Sequence, residues 1–204
     1  MIRRIIDVAC SVVALLILAP LFAAVAVVVR LESRGSPFYG GRRVGRHGRE
    51  FRMWKFRTMV ADADRVGPGI TAKRDARITR VGAFLRRTKI DELPQFFNLL
   101  RGDLTLVGPR AEVPDIVARY TEAQRAILAV KPGIVGPGQL YYTTDQQDEI
   151  PEGVAADDYY VEHLLGPKLA IDLGYERERT AWSDARMVLA TIGVMLRGLV
   201  GKSA

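Results

Sequence analysis

Two adjacent carboxylates, Asp91 and Glu92, stand at the head of a segment that could support chemistry on phosphate. Leu93-Pro94 follows them, and then an apolar run that ends near Gly102. Because proline is tolerated in the first turn of a helix, the carboxylates are predicted to lie at or just before a helix N-terminus. The simplest interpretation is an ordinary helix cap, since aspartate is among the favoured capping residues.

A frame of basic residues around the pair favours a different interpretation. These residues are Arg86, Arg87, Lys89, Arg101 and Arg110. A helix N-terminus attracts phosphate, and neighbouring cations keep carboxylates ionised. An ionised aspartate beside bound phosphate can attack phosphorus or bind a divalent cation. The segment is therefore a candidate site for phosphoryl chemistry.

Arg110 follows Gly108-Pro109 at the end of a short, apolar stretch that is predicted to be a buried strand, Leu104–Val107. A turn of this kind would fix the guanidinium at the strand's end, where it could clamp a phosphate. The alternative is a surface arginine that happens to follow a turn.

The composition argues against several other kinds of site. The single cysteine, Cys10, allows neither an intramolecular disulfide nor a cysteine-based zinc site. The two histidines, His47 and His163, are far apart in sequence, which argues against a histidine triad or metal cluster. The net charge of +7 suits an anionic partner such as nucleic acid, anionic lipid or a phosphorylated substrate.

The N-terminal region contains an apolar run, Val8–Val29, that is long enough to cross a bilayer. Arginines flank it on both sides, and the positive-inside tendency would keep both ends in the cytoplasm. Pro20 lies near its middle, where proline kinks or breaks a helix. These features predict a re-entrant helix–break–helix over residues 1–34, with a kinked transmembrane span as the alternative. Asp7 is expected to find a partner or to lie among the headgroups.

The remainder, residues 35–204, is predicted to form one small α+β domain that is mostly helical. A β-hairpin is expected from Phe38-Tyr39, a turn at 45–48 and a strand at Phe51–Phe56. Its interleaved arginines and aromatic residues could contact nucleic acid or lipid headgroups. The adjacent membrane run favours the headgroups, so we expect membrane lipid and no nucleic acid as a partner. Further predictions are a helix over 113–130, a shaped loop over 131–139, and helices over 159–173 and 181–200.

Several short motifs occur in an order and at spacings that resemble those of the bacterial sugar transferases, also called small monotopic phosphoglycosyl transferases. Each motif is weak alone, whereas the ordered set is highly specific and covers nearly the whole chain. After the N-terminal run with Pro20, the motifs are Lys-Phe-Arg-Thr-Met (55–59), Thr-Arg-Val-Gly (79–82), Phe-Leu-Arg (84–86), Asp-Glu-Leu-Pro-Gln (91–95), Asn-Leu-Leu-Arg-Gly-Asp (98–103) and Leu-Val-Gly-Pro-Arg (106–110).

The resemblance implies an N-terminal helix that breaks at Pro20 and a catalytic domain on the cytoplasmic face of the bacterial inner membrane. It implies transfer of a phosphosugar from a nucleoside-diphosphate sugar, with a UDP-sugar expected, to polyprenyl phosphate. This would be the first membrane step in the assembly of a glycan such as an exopolysaccharide.

The resemblance also implies roles for individual residues. Asp91 would attack the sugar-linked phosphate, which gives a covalent phosphosugar intermediate and releases nucleoside monophosphate. Glu92 would assist as a base or in metal binding, and Asp91 and Glu92 together would hold Mg²⁺. The implied phosphate-binding residues are Arg86, Arg110, Lys55 and Arg57.

The chain also departs from the family pattern. Ala111 stands where a second proline is common, and the segment 141–154 has no counterpart that we can match, so neither the sugar nor the role of residues 141–158 is indicated. A homodimer is left open. Two other functions remain as alternatives, a membrane-anchored basic scaffold and a phosphatase-like hydrolase. Asn caps a helix as well as Asp, so Asp91→Asn would spare a scaffold and inactivate an enzyme.

Overall fold

The computed structural model describes residues 2–61, 63, 75–141 and 154–200. This part of the chain is mostly helical and contains two small sheets, which confirms the predicted mixture of helices and strands. The helices are α1 (Ile2–Glu32), α2 (Arg80–Thr88), α3 (Gln95–Arg101), α4 (Pro114–Ala118), α5 (Pro137–Tyr141), α6 (Ala156–Tyr159), α7 (Leu165–Glu178) and α8 (Ala181–Val200), and a π-helical turn at Tyr160–Leu164 joins α6 to α7. The strands are β1 (Phe38–Val44), β2 (Glu50–Phe56), β3 (Thr105–Val107) and β4 (Gly133–Val135).

The predicted β-hairpin is confirmed. Strands β1 and β2 pair antiparallel from Phe38 opposite Phe56 to Val44 opposite Glu50. A short 3₁₀ turn, Arg46–Gly48, connects them. The two phenylalanine rings stack with their centroids 5.2 Å apart, and Phe56 is fully buried. This open end of the hairpin therefore belongs to the core that packs on α1.

The structure does not show the helix–break–helix predicted over residues 1–34. Helix α1 is continuous from Ile2 to Glu32, and Pro20 lies inside it with its side chain exposed. Proline removes one backbone hydrogen bond, and α1 has buried residues on both sides of Pro20. Ser11 is buried before it, and Phe22, Val25 and Val29 are buried after it. By length and composition, α1 could cross a membrane.

The N-terminal half of α1 is fixed to the rest of the chain by polar contacts. The Asp7 carboxylate accepts hydrogen bonds from the Thr105 hydroxyl at 2.9 Å and from the Leu106 backbone N–H at 3.0 Å. Arg4 donates to the Leu99 and Leu100 carbonyls, both at 2.6 Å, at the C-terminal end of α3. The expectation that Asp7 needs a partner is thus confirmed.

Two of the sequence motifs meet where α2 begins. The Thr79 side chain caps α2 by accepting from the Gly82 backbone N–H at 2.9 Å. A Cβ on Gly82 would lie 2.0 Å from the Thr58 carbonyl oxygen, so the close approach of α2 to the end of β2 requires glycine there. The Thr79 N–H also donates to that carbonyl oxygen at 3.0 Å. The Thr-Arg-Val-Gly motif therefore docks α2 onto the Lys-Phe-Arg-Thr-Met motif.

Two predictions for the second half of the chain are wrong in part. Residues 113–130 form the short helix α4 and a separate 3₁₀ turn, Gln124–Ala129, instead of one helix. Residues 131–139, predicted as a loop, contain β4, which pairs parallel with β3. A Cβ on Gly133 would lie 2.2 Å from the Gly108 nitrogen, so glycine here serves strand contact and not a free loop. The predicted helices near the C-terminus are confirmed as α6 to α8, and most of the segment 141–158 lies outside the described residues.

Candidate active site

The carboxylate pair lies immediately before α3, as predicted. Asp91 and Glu92 belong to a 3₁₀ turn, Ile90–Glu92, and Pro94 is the residue that precedes α3. Asp91 is 6 % exposed, and its Oδ1 atom has no hydrogen-bond partner among the described residues. No side-chain cap is formed at either N-terminus. The capping interpretation therefore does not account for Asp91.

Asn98 holds α3 in place and thereby sets the position of the carboxylate pair. Its Oδ1 accepts from the Trp54 N–H at 2.9 Å, and its Nδ2 donates to the Arg52 carbonyl at 2.7 Å. The side-chain amide thus pairs with the outer edge of β2 as a neighbouring strand would. Asn98 is fully buried, and Nδ2 also donates to Asp103 at 3.0 Å. Buried amides satisfied in this way fix one orientation of a helix.

Glu92 is paired with two of the predicted phosphate-binding residues. Its Oε1 lies 2.7 Å from Lys55 Nζ and 3.1 Å from Arg110 Nη2. Burial alone would raise the pKa of Glu92, but Lys55 and Arg110 together hold that pKa well below its usual range. Glu92 in turn raises the pKa of Arg110. Glu92 is therefore a permanent anion that holds two cations beside Asp91.

The electrostatic situation of Asp91 is the opposite. Burial raises the pKa of Asp91, and the nearby charge of Lys55 offsets this only in part. The negative charge of Glu92 raises the pKa of Asp91 further. Of the two neighbouring carboxylates, one is firmly ionised and paired, while the other is buried and keeps an unpaired oxygen. Neighbouring acids whose environments separate their pKa values are a common arrangement in active sites.

The structure places the other predicted residues at different distances from the pair. The Arg86 Nε donates to the Thr58 hydroxyl at 2.8 Å. Burial lowers the pKa of Arg86, and the nearby charge of Asp91 opposes this. Arg57 points elsewhere, since its Nη2 donates to the Ser33 carbonyl at 2.7 Å and to the Ser33 hydroxyl at 3.0 Å. The structure therefore brings Lys55, Arg110 and Arg86 to the pair and directs Arg57 to the end of α1. Pro20 lies on α1.

Comparison with known families gives a match over residues 1–198 to the bacterial sugar transferases. The chain belongs to this family. Two relatives that cover nearly the whole chain are a UDP-N-acetylgalactosamine-undecaprenyl-phosphate N-acetylgalactosaminephosphotransferase of Aeromonas hydrophila, 35% identical over 97% of the chain, and a UDP-glucose:undecaprenyl-phosphate glucose-1-phosphate transferase of Escherichia coli K12, 33% identical over 100%. A third is the exopolysaccharide production protein ExoY of Sinorhizobium fredii, 37% identical over 79% of the chain.

The chain matches only part of the longer relatives. It spans 44% of the Aeromonas protein and 41% of the Escherichia coli protein, but 77% of ExoY.

In this bacterial sugar transferase, the carboxylate pair is compatible with a metal completed by substrate. Among the described residues, no group of three or more Asp, Glu, His or Cys side chains could hold a metal ion. Mg²⁺, however, is usually held by one or two carboxylates together with substrate phosphates. The unpaired Asp91 oxygen and the adjacent Glu92 provide such a pair.

The structure also has a second buried ionic group that the sequence did not predict, here called the Glu112 cluster (Glu112, Tyr160 and Lys168). The Lys168 Nζ donates to Glu112 Oε1 and to the Tyr160 hydroxyl, both at 2.6 Å, and that hydroxyl donates to Glu112 Oε1 at 2.5 Å. The cluster connects the segment after Arg110 to α7. Its only signal in the sequence is that Glu112 lies two residues after Arg110.

Proposed function

We propose that this protein transfers a phosphosugar from a nucleoside-diphosphate sugar to polyprenyl phosphate at a membrane surface. The observation that carries the proposal is the buried, unpaired oxygen of Asp91 beside a carboxylate that holds two cations. The names of two relatives, which combine UDP-sugars with undecaprenyl phosphate, support a UDP-sugar donor and a polyprenyl acceptor. Names such as ExoY support a place in polysaccharide production.

In the first step, an Asp91 carboxylate oxygen attacks the phosphorus that carries the sugar. A new bond forms between oxygen and phosphorus, and the phosphoanhydride bond to the other phosphate breaks. The bridging oxygen leaves with the nucleoside monophosphate, and the phosphosugar stays on Asp91 as an acyl phosphate. An unpaired carboxylate oxygen suits this role, because no hydrogen bond must be broken before attack.

In the second step, a phosphate oxygen of polyprenyl phosphate attacks the same phosphorus. The bond from phosphorus to Asp91 breaks, the carboxylate is regenerated, and the product is a polyprenyl diphosphate sugar. No general base is needed for either attack, because both nucleophiles are anions. A base role for Glu92 is therefore disfavoured, and the lowered pKa of Glu92 agrees with this.

The cations position the donor and stabilise the charge that develops on it. Lys55 and Arg110 are held by the same Glu92 oxygen, so both side chains are fixed before substrate arrives. Preorganised cations of this kind account for much of the catalysis of phosphoryl transfer. The Thr58 hydroxyl orients Arg86, which lies near Asp91. Arg57 is not part of this proposal, because it binds the end of α1.

Magnesium fits the same site. Asp91 and Glu92 would hold it, and the ion would neutralise charge on the donor diphosphate. Three cations, Lys55, Arg86 and Arg110, lie near the carboxylate pair, so the protein itself supplies part of this neutralisation.

Helix α1 provides the contact with the membrane. Many of its apolar side chains are exposed, namely Ile2, Ile5, Ile6, Val12, Val13, Leu16, Ile17, Leu21, Val27, Val28 and Leu31. In a straight helix, Asp7 and Val29 would be roughly 33 Å apart, which is close to the thickness of a bilayer core. Both residues nevertheless pack against the same domain. This supports an arrangement in which α1 and the domain remain together at one face, which we take to be the cytoplasmic face.

An apolar cleft of about 460 Å³ lies between α1 and the aromatic side chains of Phe38 and Phe97. Phe97 belongs to α3, the helix that follows the carboxylate pair. A polyprenyl chain that entered from the bilayer along this cleft would bring its phosphate towards Asp91.

The test uses purified protein in nanodiscs with Mg²⁺ and a panel of UDP-sugars, with and without polyprenyl phosphate. The proposal predicts release of nucleoside monophosphate and a lipid-linked product with one donor, and no release by Asp91→Asn. Release of nucleoside diphosphate would contradict the phosphoryl mechanism. Release of sugar phosphate without lipid would indicate a hydrolase. A protein that binds membrane and lipid but turns over no donor, with or without polyprenyl phosphate, would indicate a scaffold.

A further inference from the structure

The β-hairpin presents one cation to the active site that neither the sequence motifs nor the pairing around Glu92 accounts for. This residue is Arg43, near the end of β1. Successive side chains of a strand point to opposite faces, and the register pairs Tyr39 with Lys55 and Arg43 with Phe51. Arg43 and Lys55 therefore lie on the same face of the hairpin. Gly41 lies between the two on that face, and the Tyr39 ring packs over it, 3.1 Å from where a Cβ on Gly41 would lie.

A backbone contact fixes Arg43 beside Arg110. The Val44 N–H, directly after Arg43, donates to the Glu112 carbonyl at 2.9 Å. Glu112 lies two residues after Arg110, so the end of β1 runs past the segment that carries the phosphate clamp. The electrostatics agree, since the pKa of Arg43 is lowered by burial and then by the charge of Arg110.

Arg43 has no ion-pair partner among the described residues, and the more distant charges of Glu112 and Glu92 oppose the lowering of its pKa only in part. Its only hydrogen bond there is from Nη1 to the Arg42 carbonyl at 2.9 Å, and no carboxylate lies within ion-pair distance. Nearby Glu92 already holds Lys55 and Arg110, and Glu112 is held by Lys168. The two neighbouring guanidinium groups are those of Arg43 and Arg110. Such a pair favours binding of an anion when the nearby carboxylates are already held by other cations.

We propose that Arg43 binds the phosphate of the leaving nucleotide, the donor phosphate that is not attacked by Asp91. This inference rests on the proposed function, because it assigns one residue to one half of the donor diphosphate. An anion held by Arg43 and Arg110 would be the second phosphate of a diphosphate whose first phosphate lies at Asp91.

The position of Arg43 relative to the membrane helix favours the donor over the lipid phosphate. The open end of the hairpin, Phe38 and Phe56, packs on α1. Arg43 is five residues further along β1, roughly 17 Å at the rise of a strand, and Val44 next to it packs into a different core cluster with Ile116 and Leu165. A lipid acceptor is tethered at the α1 end, whereas a water-soluble nucleotide can reach the far end.

The neighbouring Arg42 offers a matched control. It lies on the opposite face of the hairpin and is paired with exposed Glu50, with Nη2 2.8 Å from Oε2. Arg42→Gln and Arg43→Gln therefore remove the same charge from adjacent positions of one strand. Arg43→Lys keeps the charge and removes the planar guanidinium fork.

The experiment measures binding of UMP and of uridine to the full chain in nanodiscs, together with the Michaelis constant for polyprenyl phosphate. Hydrogen bonds to charged groups predict that Arg43→Gln weakens UMP binding by about 10- to 100-fold while uridine binding stays unchanged. Arg42→Gln should bind both as the wild type does, and Arg43→Lys should fall between. The Michaelis constant for the lipid should be the same in all variants.

Each other outcome has a distinct meaning. If Arg43→Gln and Arg42→Gln bind UMP alike while the wild type releases nucleoside monophosphate, the assignment of Arg43 is wrong and the proposed function stands. If Arg43→Gln changes only the Michaelis constant for the lipid, Arg43 binds the acceptor phosphate and the assignment is overturned. A wild type that neither binds UMP nor releases nucleoside monophosphate from any donor contradicts the proposed function itself.

Discussion

Two buried ionic groups lie close together in this protein and differ in how fully they are satisfied. In the Glu112 cluster, one carboxylate, one ammonium and one phenol bond to one another, and all three are buried or nearly so. Around Glu92, the same kind of carboxylate–lysine pair is joined by Arg110 and lies next to Asp91, which has an unpaired oxygen. A fully satisfied group stabilises a fold, whereas a partly satisfied one is available for a ligand.

Similar substitutions in the two groups should have different consequences. Changes in the Glu92 group should affect turnover and leave the fold largely intact. Changes in the Glu112 cluster should affect the free energy of unfolding first.

The largest effect is expected from Asp91→Asn. The amide cannot attack phosphorus, so release of nucleoside monophosphate should fall by about a million-fold or to background, as it does when other covalent enzymes lose their nucleophile. The side chain keeps its size and loses a buried charge, so the melting temperature should not fall. Residual activity within tenfold of the wild type would show that Asp91 is not the nucleophile.

A smaller loss of activity is expected from Lys55→Met. This variant removes a preorganised cation from the proposed donor site, which should lower the rate of nucleoside monophosphate release by about 100- to 1,000-fold. It is measured in single turnover without acceptor, so that lipid binding does not contribute. Arg57→Gln is the control from the same motif, and its release rate with saturating donor should stay much closer to that of the wild type, because Arg57 binds Ser33.

Lys168→Met should act on stability instead. It leaves the buried Glu112 carboxylate with Tyr160 as its side-chain hydrogen-bond partner among the described residues, and breaking a buried pair costs about 3–5 kcal/mol. Denaturant unfolding in detergent would measure this loss. Lys131→Met is the matched control, since no ion pair involves Lys131 among the described residues. Equal unfolding midpoints for the two variants would contradict the structural role of the Glu112 cluster.

The smallest effect is a dependence on pH. Burial raises the pKa of Asp91, and protonation removes the nucleophile. The rate of the donor half-reaction should therefore decrease as the pH is lowered through that pKa, at a pH above the ordinary aspartate value of about 3.9. Glu92 should add no inflection, because its pKa is held well below its usual range. A rate that stays constant down to about pH 4 would show that Asp91 is ionised throughout.

Much of the site could be predicted from local sequence. Pro94 and the apolar run after it placed the carboxylate pair before a helix, and glycines with alternating residues indicated the hairpin. The position of Arg110 at the end of a strand followed from Gly108-Pro109 in the same way. These features depend on a few neighbouring residues and the preferences of the backbone.

The remaining features depend on which distant segments meet. Nothing near Asn98 in the sequence indicates that its amide pairs with the edge of β2. Arg57 resembles a phosphate ligand by motif, but the end of α1 lies within its reach. The glycines at 131–139 suggested a loop, whereas Gly133 permits a parallel strand to approach Gly108. The break expected at Pro20 is not shown, since α1 includes the proline without interruption.

The most direct test of the central claim identifies the residue that carries the phosphosugar. The wild type is incubated with donor and no acceptor, and borohydride then reduces any acyl phosphate to an alcohol. Trypsin should release residues 90–101 as one peptide that contains both carboxylates. We predict homoserine at position 91, dependent on donor and absent from Asp91→Asn. Reduction at Glu92, or no reduction while nucleoside monophosphate is released, would contradict the covalent role of Asp91.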